Sequence, residues 1–168
     1  MSKAKTRRRC LPLGDVLFRL HEEYTKVVKR KVDINDQVSI RGLTLAINNI
    51  GMVYFELKDV NQANYFFKKA LLIDERINNQ KGIAREMGNI GKVKLELNEF
   101  DSALYFLETS AAIDREIGNE FGEIESIVDI ALVYYKKGDY QLAEKILIDL
   151  QKVKSLECVV AGIWIDQL

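Results

Sequence analysis

Few side chains in this sequence stand at spacings that catalysis needs. His21 is the single histidine, and no second histidine or thiol lies at ligand spacing, so neither an imidazole-dependent metal centre nor a histidine acid–base pair is expected. Cys10 and Cys158, the two cysteines, are too few for a disulfide framework and fit a reducing compartment. No glycine-rich phosphate loop follows a strand pattern, and no serine or cysteine nucleophile has a histidine partner in a recognisable motif. Carboxylate pairs such as Glu123 and Glu125 suit an exposed helix face, and Asp74-Glu75-Arg76 and Asp114-Arg115-Glu116 read as surface ion pairs. Neither an enzyme nor a cofactor is therefore expected. The chemistry that does recur is non-covalent. Asn49, Asn89 and Asp129 stand 40 residues apart. An amide side chain both donates and accepts, so a row of them can hold an extended peptide backbone; Asp129 keeps the acceptors and loses the donors. The alternative is a row of solvated polar groups, or of bonds to a neighbouring helix.

The same spacing runs through the whole chain. Gly42, Gly82 and Gly122 coincide at a shift of 40 residues, as do Ile50, Ile90 and Ile130, then Val53, Val93 and Val133, then Ala63, Ala103 and Ala143. Gly51, Gly91 and Ala131 share a small-residue slot. Each unit predicts two helices. Ile83, Met87, Ile90 and Lys94 fall at helical spacings, and after a break at Asn98-Glu99 the apolar face resumes with Ala103, Phe106, Leu107, Ser110 and Ile113. Lys58-Asp59 and Gly138-Asp139 match that break, while Asn78-Asn79 and Gly118-Asn119 have the chemistry of a left-handed residue closing a helix. The small slots on the two helices predict a close crossing, with large neighbours filling the flanking holes.

Composition agrees. The 168 residues are 48% apolar and 30% charged, as in an ordinary folded domain. One proline and ten glycines leave little punctuation for an all-β fold. No apolar run approaches the roughly 18 residues that span a bilayer. The formal net charge is zero, but residues 1–41 carry an excess of basic side chains balanced by acidic excess in the rest. That excess begins with Lys3, Lys5, Arg7, Arg8 and Arg9, a candidate arm for nucleic acid or an anionic surface, or else a solvated tail. Asp15, Arg19, Glu22 and Glu23 follow instead of an apolar signal core, so a cytoplasmic chain is expected.

The residues Ile47, Ile50-Gly51 and Tyr54, with Ile127, Ile130-Ala131 and Tyr134, followed by Ala63, Phe67, Ala70 and Ala103, Leu107, Ser110, resemble the tetratricopeptide repeat. Lys94 replaces the tyrosine in the second unit, Leu150 the small residue in the third, and the family's closing proline is missing. With the 40-residue period, the pattern is similar to the long-helix subclass of GoLoco-regulating signalling modulators and kinesin light chains. The resemblance implies an all-α, right-handed solenoid of three helix-turn-helix units. The expected divisions are a basic tail (1–12), an N-terminal capping helix (13–39), repeats at 40–79, 80–119 and 120–155, and a short apolar segment (156–168). That last segment reads either as a cap carrying Trp164 or as the start of a further repeat, and its exposure leaves homodimerisation open.

A second stripe on each first helix changes chemistry between units: Leu45, Asn49, Met52 and Glu56; Arg85, Asn89, Lys92 and Glu96; Glu125, Asp129, Leu132 and Lys136. In tetratricopeptide-like solenoids this stripe lines the concave face, and the resemblance implies that it receives a partner segment, with Asn49 and Asn89 on the partner's main chain. Phe55 and Tyr135 add apolar contacts. Glu125 and Asp129 argue against the basic clamp that chaperone-binding members use for a C-terminal carboxylate, so a mixed-charge ligand with apolar anchors is expected. The function this predicts is a non-catalytic adaptor binding a protein or peptide. The alternatives are a nucleic-acid binder working through the basic tail, or a sensor fragment of a larger regulator.

Overall fold

The left-handed residue that the sequence places between helices is what turns this chain back on itself. The structure, a computed structural model, describes residues 37–153, and these form six helices. They are α1 (Gln37–Glu56), α2 (Val60–Arg76), α3 (Gln80–Glu96), α4 (Phe100–Glu116), α5 (Glu120–Lys137) and α6 (Tyr140–Val153). Between the first and second helix of each unit the chain passes through Lys58 (φ 62°), Asn98 (φ 58°) and Gly138 (φ 90°); between units it passes through Asn78 (φ 52°) and Gly118 (φ 70°). Each such residue lets the next backbone N–H fold back onto the helix just ended. The N–H of Asp59 donates to the Tyr54 carbonyl at 2.9 Å, that of Asn79 to Asp74 at 2.9 Å and that of Asn119 to Asp114 at 2.8 Å. These bonds satisfy carbonyls that a helix end leaves open. The following residue starts the next helix: Asp59 Oδ1 accepts from the Gln62 N–H and Asp139 Oδ1 from the Leu142 N–H, both at 3.1 Å.

The hairpins α1/α2, α3/α4 and α5/α6 stack in order, each second helix packing on the next first helix. Residues 37–39, expected from the sequence in the capping helix, belong to α1. The rest of that expected helix, the basic tail with Lys3 to Arg9, His21, both cysteines, and the 156–168 segment with Trp164 lie outside the described residues.

The crossing within each hairpin depends on the small slots. A Cβ on Gly51 would meet the Phe67 ring at 2.6 Å, and one on Gly91 would meet Leu107 Cγ at 2.7 Å. Opposite them Ala63 and Ala103 have no exposure, and the flanking Ile47, Val93, Leu107 and Val133 are likewise sealed. Each fully buried aliphatic or aromatic side chain contributes about 1.5–3 kcal/mol, so the array gains most of its stability along this line of crossings.

A second contact joins one hairpin to the next, and it corrects the expectation for the acidic triplets. Asp74 and Asp114 are not surface residues; their exposures are 0% and 3%. Asn79 Nδ2 donates to Asp74 Oδ1 at 2.8 Å, and Asn119 Nδ2 to Asp114 Oδ1 at 2.7 Å. The glycines that recur at 82 and 122 make room for this pair, since a Cβ at either would land on the aspartate carboxylate and 2.5 Å from the asparagine nitrogen. The triplets are amphipathic in detail: Glu75, Arg76, Arg115 and Glu116 are exposed, and only the leading aspartate turns inward.

Two outcomes are expected. Gly91→Leu drives a branched side chain into Leu107 and Ala103 and destabilises by about 1–3 kcal/mol in denaturant melts; an unchanged midpoint removes the crossing assignment. Lys58 is the one left-handed residue among these turns that is neither glycine nor asparagine. Lys58→Gly is therefore expected to raise stability by roughly 0.5–1 kcal/mol in the same melts.

Candidate functional site

Stacking brings the first helices together more closely than the second. Helix α1 contacts α3 and α3 contacts α5, whereas among the described residues no second helix makes comparable contact with the next second helix. The stack therefore curves with α1, α3 and α5 on its inner side, and the stripe identified from the sequence lies along these three helices. On α1, Leu45 is 47% exposed and Asn49 and Glu56 are exposed, while Met52 and Phe55 are half-buried against Phe67, Ile90 and Val93. On α3, Arg85 and Lys92 are half-buried, Asn89 is 7% exposed and Glu96 is exposed. On α5, Glu125, Lys136 and Tyr135 are exposed, and Asp129 and Leu132 are half-buried. Met52, Phe55 and Leu132 thus spend most of their surface between repeats and offer only an edge to the groove.

The three rungs of the polar row differ in state. Among the described residues neither the Asn49 nor the Asn89 side chain takes part in a hydrogen bond, so the expected alternative of bonding to a neighbouring helix is not the arrangement seen. Asp129 is engaged. Lys92 Nζ reaches across from α3 to lie 2.5 Å from Glu125 Oε1 and 3.4 Å from Asp129 Oδ2. Burial raises the Asp129 carboxyl from 3.8 to about 6; Lys92 opposes that shift and Glu125 adds to it. Burial by itself would lower the Lys92 ammonium, but Asp129 and Glu125 outweigh it and the pKa rises above its ordinary 10.5.

Arg85, a cation of the stripe, turns to the floor of the groove. Its guanidinium lies 3.0 Å from Glu86 Oε1 and 3.5 Å from Asp74 Oδ2, two carboxylates with no exposure. Asn48 Nδ2 on α1 donates to Glu86 Oε2 at 2.9 Å, so one buried network ties α1, α2 and α3. Burial raises the Glu86 carboxyl above its ordinary range, while Asn48 and Arg85 hold it down and Asp74 adds repulsion. Sequence reasoning missed Asn48 and Glu86. A signal was there: the Glu86 slot holds Ala46 and Ser126 in the other repeats, so a carboxylate placed in it had to be buried and compensated. Glu96 sits between Lys58 at 3.6 Å and Lys136 at 4.0 Å, which links side chains of all three hairpins along the rim.

This architecture is an all-α helical-repeat solenoid, and comparison with known proteins names its class. The tetratricopeptide-repeat family model matches residues 43–116, the first two hairpins. These two hairpins are similar to the tetratricopeptide repeat, and repeats of that family generally mediate protein–protein interaction. Two solved structures share the fold. BtubC (BKLC) of P. vanneervenii superposes with a TM-score of 0.70 at 16% identity, covering 84% of this chain and 56% of its own. A kinesin light chain of Podosopora anserina with nearly identical TPR-like repeats gives 0.68 at 13% identity, covering 87% of this chain and 68% of that one. The chain thus spans little more than half the length of the first of these. No curated protein matches the sequence. Among the described residues no helix is long and apolar enough to cross a membrane.

The raised Asp129 pKa has a definite sign. The folded state holds this proton more tightly than the unfolded chain, so the contribution to stability is complete below about pH 3.8 and is lost as the pH rises through about 6. Asp129→Asn removes that loss. The melting temperature of the variant minus that of the native chain should therefore increase between acid and neutral buffer. A difference that stays flat across the window removes the assignment.

Proposed function

We propose that this array is a non-catalytic interaction module that takes an extended segment of a protein partner along α1, α3 and α5, with Asn49 and Asn89 on the partner's main chain. The observation that carries this reading is Asn89. Its side chain is 7% exposed, on the groove stripe, and unengaged among the described residues. An amide with no internal partner keeps a donor and an acceptor open to a peptide carbonyl and N–H laid across it. Neighbouring Asn49 offers the same donor and acceptor one repeat away, a spacing suited to main-chain recognition that is indifferent to side-chain identity. Asp129 continues the row in position but not in role, because Lys92 already occupies it. The reading places the protein in the cytoplasm as an adaptor or scaffold, a setting its two cysteines fit.

The test compares the native chain with Asn49→Ala/Asn89→Ala as baits for proximity crosslinking and affinity capture from source-cell lysate, after circular dichroism has shown equal folding. A partner retained by the native chain, crosslinked to α1 or α3 and lost by the variant is the expected result. Equal retention by both baits moves the binding surface off the groove.

A further inference from the structure

Each cation of the concave stripe, among the described residues, already has an anionic partner. Arg85 is held by Glu86 and Asp74. Lys92 is held by Glu125 and Asp129. Lys136 shares Glu96 with Lys58. These commitments differ in strength. Withdrawing Arg85 would strand two carboxylates that have no exposure, the costliest way to break an ion pair. Lys92 is the intermediate case, since its side chain is 25% exposed and that of Asp129 is 16%. The Lys58–Glu96–Lys136 bridge lies on the rim, where solvent screens it.

An incoming carboxylate in the middle of the groove therefore finds Arg85 and Lys92 already paired, with exposed cations only towards the N-terminal ends, Arg41 on α1 and Lys81 on α3, and it meets Glu56, Glu96 and Glu125, which are exposed. An incoming lysine or arginine meets no such obstacle. What the groove leaves unspent is the two asparagine amides and apolar surface at both ends, Leu45 at 47% exposure on α1 and Tyr135 at 53% on α5.

We infer that the groove takes an extended segment anchored by apolar side chains and free of acidic ones, and that it turns acidic segments away. This inference rests on the groove reading above. It also replaces the mixed-charge ligand expected from the sequence, because the charges that suggested such a ligand are consumed within the protein.

The experiment is a selection of random peptides of about 12 residues, long enough to cross three first helices in extended form, displayed on phage with the full chain as bait. Two further baits run in parallel: Asn49→Ala/Asn89→Ala, and Glu125→Gln/Asp129→Asn, which frees Lys92. The expected result has three parts. The native chain enriches apolar peptides depleted of aspartate and glutamate; the asparagine variant loses them; the variant with Lys92 freed accepts acidic peptides. For a selected peptide, two added glutamates should weaken binding to the native chain about tenfold and to the Lys92-freed variant by much less. Enrichment of acidic peptides on the native chain, lost on the asparagine variant, overturns the inference and leaves the groove reading standing. An unchanged acidic content on the Lys92-freed bait also overturns it. No enrichment that depends on Asn49 and Asn89 sinks the inference together with the groove reading.

Discussion

A stacked array has no closed core, so the contact by which one hairpin seats on the next decides whether the rest exists at all. Here that contact is a buried aspartate near the end of α2 and of α4, clamped by the asparagine five residues on and pressed against the glycine in the first turn of the next helix. A carboxylate without solvent is costly unless its oxygens are engaged, and the junction engages Asp74 and Asp114 through a bond of fixed reach. This couples the angle between hairpins to the satisfaction of a charge. Helix spacing, curvature and the course of the concave stripe all follow from that angle.

The first junction carries more charge than the second, and the difference reaches the groove. Asp74 has Glu86 beside it, and Arg85 is drawn inward to serve both. The Arg85 slot holds Glu125 in the third unit, where Asp114 keeps its asparagine and Glu125 turns to Lys92 instead. The charge pattern along the concave side is therefore largely a by-product of how the junctions are neutralised. A side chain committed to a buried partner is no longer free to recognise anything else, and only groups with no internal duty can meet a ligand at small cost. Along the stripe of α1 and α3, Asn49 and Asn89 are among such groups, with Leu45 exposed at one end.

The local turns show the division of labour between backbone and side chains. The slots at 58, 98 and 138 require a left-handed residue whatever else the unit does, and they are filled by lysine, asparagine and glycine. Asparagine and glycine take that conformation readily; lysine does so at a cost. Its presence at 58 goes with a salt bridge to Glu96 and a position 5.7 Å from the Phe55 ring, contacts that glycine could not make.

What the sequence determined by itself was everything that recurs: the 40-residue period, the two helices per unit, the small-residue crossings, the left-handed turn residues and the location of the second stripe. Recurrence is legible because each unit repeats the same local problem of burying a helix face and closing a turn, and Gly91 opposite Leu107 solves it as Gly51 does opposite Phe67. Tertiary structure alone decided which polar residues of that stripe are free. Arg85, Lys92 and Asp129 look as available as Asn49 and Asn89 in a linear reading, and Asp74 looks like one more surface charge. Their roles depend on partners 11 to 38 residues away, Asp74 from Arg85 at the near end and Asn48 from Glu86 at the far one. Pairing across helices is set by distance and by burial, and neither is written in the spacing of a single helix.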